Sequence, residues 1–212
     1  EYLKWNTPDK PCNYLLLSYQ PYKNQTIGAA YTDNYLCKYA PIHKLAYSLR
    51  LTGKEEHAFD SFGSIQALLD YEKEGLPIRI FGFPAFLFFI LENMQKREIP
   101  PLKLHPNSII CFGGGWKNHA DKQIDKALFY KKITNQLGVS DSRIRSIFGS
   151  VEHCMPYIEC TNHRFHMPKW GRARVLDLKT LNPLNYGQEG FLNLQSPYST
   201  SAPVHNILMS DL

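Results

Sequence analysis

Several things are scarce in this 212-residue chain, and each scarcity removes a class of protein. It has no long run of lysine or arginine, so its net charge of +5 is scattered; that argues against a nucleic-acid-binding tail and suits a solvated surface or an enzyme of anionic substrates. It has no apolar stretch near the roughly 20 residues that cross a bilayer, the longest being Phe83 to Leu91. No segment has the order of a signal peptide. Cysteine is sparse and odd in number, five in all, which speaks against a disulfide framework and for a reducing compartment, so a cytoplasmic protein is expected. Internal repeats and low-complexity tracts are missing as well. With 43% hydrophobic and 20% charged residues, the composition is that of an ordinary globular protein, and one domain is the default.

Two glycine-bearing runs stand out, Ile109-Ile110-Cys111-Phe112-Gly113-Gly114-Gly115-Trp116-Lys117 and Ile147-Phe148-Gly149-Ser150-Val151-Glu152-His153. In each, β-branched and aromatic residues that favour a pleated buried surface give way to glycine, which lets the backbone turn sharply and approach a ligand. Between them Ile124, Leu128, Ile133 and Leu137 recur at roughly helical spacing, and Gly138 follows as a stop. Strand, helix and strand in that order predict a parallel crossover with both glycine ends on one edge, where open α/β sheets bind ligands.

Elsewhere the pattern is uneven. Residues 1–60 read as loop-rich, with a strand at Tyr14–Tyr19 and a short helix over Ile42–Leu51. Ser64 is expected to cap a helix striped by Ile65, Leu68 and Leu69 and ended by Gly75. Ile78–Gly82 reads as a buried strand, and Pro84 opens an apolar helix to about Gln95. Beyond Glu152 short strands are expected at Tyr157–Glu159, Arg164–His166, Arg174–Leu178 and Gly190–Leu194, forming an antiparallel β subdomain.

Gly113-Gly114-Gly115-Trp116-Lys117, followed by Phe148 to His153 and by Pro156-Tyr157-Ile158-Glu159-Cys160, resembles the acyl-protein synthetases of bacterial bioluminescence. Those belong to the adenylate-forming superfamily, with phenylacetate-CoA ligases and acyl-CoA synthetases. The resemblance runs from about Phe81 to Leu212, with weaker support in Gly82-Phe83-Pro84-Ala85 and Met209-Ser210-Asp211-Leu212. Phe148 to Glu152 fits the superfamily's aromatic-Gly-x-Thr-Glu pattern except at Val151, which stands where the pattern has threonine and lacks its hydroxyl.

The resemblance implies an α/β fold, a portion of the adenylate-forming large domain: a mainly parallel sheet flanked by helices over residues 1–152, then a β-rich subdomain over 153–212. It puts a phosphate loop upstream and a small lid downstream, both outside this chain. It implies ATP-dependent activation of a long-chain fatty acid to acyl-AMP and transfer of the acyl group to a protein cysteine beyond Leu212. A fatty-acid reductase subunit and an acyl-transferase would be the partners, the product being aldehyde for bioluminescence. Phe148 and Gly149 would carry adenine, with Gly113, Gly114 and Gly115 lining the nucleotide cleft beside Ser150. Asp211 would hold the ribose hydroxyls, and Glu152 would bind Mg²⁺. Lys117 and His153 are further catalytic candidates, His153 or Ser150 making up for Val151. Phe83, Phe86 and Phe89 are candidate acyl-tunnel residues.

Two other readings stay open. An acyl- or aryl-CoA ligase of the same superfamily would show the same motifs. A non-catalytic, zinc-stabilised binding module would instead use the cysteines and histidines crowded after Glu152, where Cys160, His163 and His166 have the short spacing of structural zinc sites. Aromatic and basic residues alternate from His163 to Arg174, but no nucleic-acid motif accompanies them, and no nucleic-acid partner is expected.

Overall fold

The computed structural model describes residues 10–23, 35–53, 55–150, 152–153, 155–200 and 202–209. The chain divides into two units, residues 1–147 with 161–163, and residues 148–160 with 164–212.

The first unit is built on strands β1 (Cys12–Tyr19), β2 (Ile42–Leu51), β3 (His57–Phe59), β4 (Ile78–Gly82), β5 (Ile109–Phe112) and β6 (Ile144–Phe148), the last residue of β6 opening the second unit. Its helices are α1 (Ser61–Glu74), α2 (Pro84–Lys96) and α3 (Lys126–Leu137). The strands lie in the order β3-β2-β1-β4-β5-β6, parallel throughout except for the β2–β3 pair. Alternate residues of the sheet face opposite ways. Leu15, Leu17, Ile80, Ile110, Phe112 and Ile144 join the three helices in the main core, while Tyr14, Leu16, Phe81, Ile109 and Cys111 pack with Cys12, Cys37 and Ala40 in a second cluster. Burial on both faces is why these strands read as continuous apolar runs.

Local chemistry sets the helix ends. The Asp60 carboxylate accepts the Gly63 N–H at 2.7 Å at the start of α1, and Asp125 accepts the Leu128 N–H at 3.0 Å at the start of α3. Gly75 and Gly138, at φ +69° and +68°, close the two helices in the left-handed conformation. Pro84 opens α2.

Three expectations are overturned in this unit. Ile42–Leu51 is not a helix but a ten-residue strand, because pairing with β1 in the register Tyr14↔Leu45 and Leu16↔Tyr47 outweighs a local pattern that fits either period. Asp60, not Ser64, caps α1; Ser64 is buried and donates its hydroxyl to the Asp60 carbonyl at 2.7 Å. On α3 the buried face is Phe129, Tyr130, Ile133 and Leu137, and Leu128 stands half exposed.

The second unit holds β7 (Tyr157–Ile158), β8 (Arg172–Leu176), β9 (Phe191–Gln195) and β10 (Asn206–Leu208). The last three form an antiparallel sheet in the order β10-β9-β8. The buried Asn193 amide donates to Asn206 Oδ1 at 2.6 Å and to the Ile207 carbonyl at 3.0 Å, tying β9 to β10. The antiparallel sheet is as expected, but Arg164–His166 contributes no strand and Asn206–Leu208 does.

Candidate active site

Strand order reverses at β1: the chain goes from β1 to β2 on one side and then crosses to β4 on the other. Such a reversal opens a crevice at the carboxyl ends of the two central strands. Gly82 ends β4 there with φ +125°, where a Cβ would lie 2.6 Å from the Leu17 carbonyl oxygen. Only glycine lets the two backbones come that close.

Beside that crevice β5 runs out into the glycine turn. The Gly113 N–H donates to the Gly82 carbonyl at 3.1 Å, and Gly114 and Gly115 follow at φ +75° and +65°. Trp116 anchors the turn, buried with its ring 5.4 Å from Phe88 and 5.6 Å from Phe129. Gly114 and Gly115 stay exposed. Lys117, itself left-handed at φ +52°, holds its ammonium 5.6 Å from the Phe83 ring centre. Three left-handed residues in four mark a backbone fixed in an uncommon shape, as ligand-clamping loops are.

An aromatic cluster fills the space next to it. Phe83 meets Tyr19 at 6.4 Å and Phe86 at 6.1 Å, His119 packs edge-on against Phe86 and Phe89, and Tyr19 meets His57 at 5.2 Å. The tunnel candidates Phe83, Phe86 and Phe89 are thus brought to one place. Sequence reasoning did not single out Tyr19 and His119. Their signal lay in position after a strand or beside the glycine turn, not in residue type.

In the second unit the chain passes from Phe148 into a tight turn closed by the His153 N–H on the Ser150 carbonyl at 3.1 Å. The Ser150 hydroxyl donates to Glu152 Oε2 at 2.5 Å and, as the largest cause, holds the Glu152 carboxyl below its ordinary range. Glu152 is exposed and its carboxylate is ionised. His153 is the reverse: 2% exposed, with burial pushing its imidazole pKa down. Its Nε2 lies 2.5 Å from the Tyr157 hydroxyl, and the two rings stack at 5.7 Å and 19°. The Phe148 ring stacks on Tyr157 at 6.1 Å and 28°. Phe148, Tyr157, Phe165, His166, Met167, Ala173, Leu192 and Leu194 line an apolar cavity of about 430 Å³.

The zinc arrangement does not form. Among the described residues no group of three or more His, Cys, Asp or Glu is placed to hold a metal ion. His163 Nε2 instead pairs with Asp141 Oδ2 at 2.7 Å with its ring over Tyr130, while His166 lines the cavity. Short spacing along the chain did not become convergence in space. Val151, Cys154 and Asp211 lie outside the described residues. No helix among the described residues is long and apolar enough to cross a membrane.

The fold recurs in known proteins. A long-chain-fatty-acid-CoA ligase from Archaeoglobus fulgidus shares the fold at TM-score 0.55 and 12% identity, over 88% of this chain and 34% of that one. ATP-bound MatB from Rhodopseudomonas palustris does so at TM-score 0.53 and 15% identity, over 92% and 33%. In sequence, the chain is 28% identical over 161 residues to a long-chain-fatty-acid–luciferin-component ligase of Vibrio harveyi, covering 76% of this chain and 42% of that protein. It spans less than half the length of the curated relatives it matches. Residues 51–212 match the family described as "Acyl-protein synthetase, LuxE", a stretch that includes both glycine turns. With about three quarters of its length inside that match, the chain belongs to the LuxE acyl-protein synthetase family.

Proposed function

We propose that this chain works in an acyl-protein synthetase that activates a long-chain fatty acid with ATP. The family match across both glycine turns carries the reading. In the reaction a fatty-acid carboxylate oxygen attacks the α-phosphorus of ATP, the bond from that phosphorus to the bridging oxygen breaks, and acyl-AMP and pyrophosphate result. Catalysis is then a matter of holding the two reactants in line and stabilising the charge that develops.

Phe148 offers adenine a flat apolar face, and Gly149 admits it. Gly113, Gly114 and Gly115 supply backbone groups to the nucleotide, and Asp211 accepts from the ribose hydroxyls. Lys117 offers a cation to a phosphate or carboxylate. Glu152, exposed and ionised, fits Mg²⁺, which takes one or two carboxylates and completes its shell with water and phosphate oxygens. The ion would supply charge neutralisation on the phosphates. Phe83, Phe86 and Phe89 offer apolar surface to the acyl chain.

The acyl group then passes to a cysteine and on to a reductase that makes aldehyde, with an acyl-transferase as a further partner. Cys12, Cys37 and Cys111 are buried, and burial raises the Cys12 thiol, the opposite of what an acyl acceptor needs. The resemblance to the family puts the acceptor beyond Leu212.

Glu152→Gln tests the reading. It keeps the shape of the turn and removes the charge, so ATP binding should persist while fatty-acid-dependent exchange of labelled pyrophosphate into ATP drops about 10²-fold to 10³-fold. Exchange within about twofold of the unsubstituted enzyme would make the turn structural and remove Glu152 from the chemistry.

A further inference from the structure

The apolar cavity of the second unit has no task in the adenylation reading beyond lending Phe148 as one of its walls. Tyr157 and Leu194, 6% and 2% exposed, are its buried lining, while Phe165 is 46% exposed. Strand pairing explains the space. Ala173 lies opposite Leu194 across the β8–β9 ladder and Val175 opposite Leu192, so these four share one face of the sheet. Alanine is the small member of that face, and the room it leaves belongs to the cavity. At about 430 Å³ the space falls within the range of small-molecule sites, about 300–1,000 Å³. Apart from the His166 imidazole and the Tyr157 hydroxyl, its side chains are aromatic, aliphatic or thioether. Such walls give the ring nitrogens and amino group of a purine too few partners, whereas a hydrocarbon chain needs none.

The surroundings of this cavity are basic. Residues 164–176 contain Arg164, Lys169, Arg172 and Arg174 and no carboxylate. All four cations are exposed, and none forms an ion pair among the described residues. Arg164 adjoins Phe165, and Arg172 and Arg174 flank Ala173, so cations bracket the lining at two places. Arg174 also lines a neighbouring cavity that shares Ala173 and Leu192 with the first. An apolar interior beside unneutralised positive charge suits a ligand with the complementary parts, a long hydrocarbon tail ending in an anion. We propose that this cavity binds the tail of a long-chain acyl anion, with Arg174 helping to hold the anionic head. The site shares no residue with Phe83, Phe86 and Phe89, so it is a second apolar surface for the same class of molecule. That the anion is the enzyme's own substrate rests on the adenylation reading, but binding itself needs no ATP.

Calorimetric titration of the full-length protein with monomeric tetradecanoate, dodecanoate and decanoate, without ATP, tests the site. Each buried CH₂ removed should weaken binding about fourfold, so each step of two carbons should cost about 15-fold. Ala173→Phe sits at an exposed strand position that accepts an aromatic residue, and by filling the space it should weaken tetradecanoate binding by about tenfold or more. Arg174→Gln should weaken all three acids by one common factor of about twofold to fivefold, since the head is the same in each. Affinity that ignores chain length, or an Ala173→Phe protein that binds tetradecanoate as tightly as the unsubstituted one, overturns the proposal. So does binding to vesicles containing anionic phospholipid with none to monomeric tetradecanoate, which would make the basic segment a membrane contact. An unsubstituted protein that binds the acids as expected yet shows no pyrophosphate exchange would overturn the adenylation reading and leave the cavity assignment standing.

Discussion

Gly114→Ala is the sharpest test of the turn after β5, because Gly115 beside it provides the control. Both glycines are left-handed, at φ +75° and +65°, and an L side chain there costs about 1–2 kcal/mol. They differ in surroundings. A Cβ at Gly114 would lie 2.7 Å from Phe83 Cε1 and 3.1 Å from Cδ1, whereas one at Gly115 would meet nothing within 4 Å. The Phe83 ring has little room to give, being 7% exposed and packed by Tyr19 and Phe86. Forcing a methyl against such a ring costs about 1–3 kcal/mol more. Gly114→Ala should therefore destabilise by about 2–5 kcal/mol and Gly115→Ala by about 1–2 kcal/mol. With a urea slope of about 2 kcal/mol/M, the midpoints fall by about 1–2.5 M and about 0.5–1 M. Fluorescence of Trp116, buried between Phe88 and Phe129, follows the transition. Equal midpoint shifts for the two variants would refute the claim that Phe83 presses against the turn.

Two further outcomes are expected. Asp211→Ala in the full-length protein should raise the dissociation constant for ATP, since each of two hydrogen bonds to a charged acceptor is worth about 1.5–3 kcal/mol; unchanged affinity by calorimetry would remove Asp211 from the nucleotide site. Tyr71, buried with its hydroxyl donating to the Tyr14 carbonyl at 3.2 Å, has its pKa pushed up to about 12, chiefly by burial. The raised value means its contribution to stability is complete below the ordinary tyrosine pKa of about 10 and is lost as pH rises through 12. Alkaline unfolding followed by phenolate absorbance should show that loss, and Tyr71→Phe should flatten it; an unchanged profile would place the loss elsewhere.

How much of this was legible beforehand varies with how local the cause is. The crossover from β5 through α3 to β6 was readable because each part announces itself: apolar run, glycine, striped helix, left-handed stop. The amino-terminal third was not. β2 carries four exposed residues in a row at its start, so no buried face is written into Ile42–Leu45, and only its parallel register with β1 makes it a strand. Phe148, Glu152 and the glycines could be proposed as site residues because a motif is contiguous. The ring contacts of Tyr19 and His119 were not legible, because chain spacing does not encode them. The zinc reading met the complementary obstacle: adjacency in sequence promised a convergence that does not form among the described residues.

The family match begins at residue 51, yet the sheet does not. β1, which lies outside that stretch, has neighbours on both sides, pairing Leu15 with Ala46 of β2 and with Ile80 of β4. During synthesis it is made before both of its partners and must wait for residues 42–51 and 78–82 before its edges are satisfied. Until then Tyr14 to Leu17, wholly buried in the finished fold, form an apolar strand with two open edges, the kind of segment that pairs with the wrong chain. A protein cut at the boundary of the match would trade that hazard for a permanent one, leaving the β4 edge from Ile78 to Gly82 unpaired along the wall of the crevice.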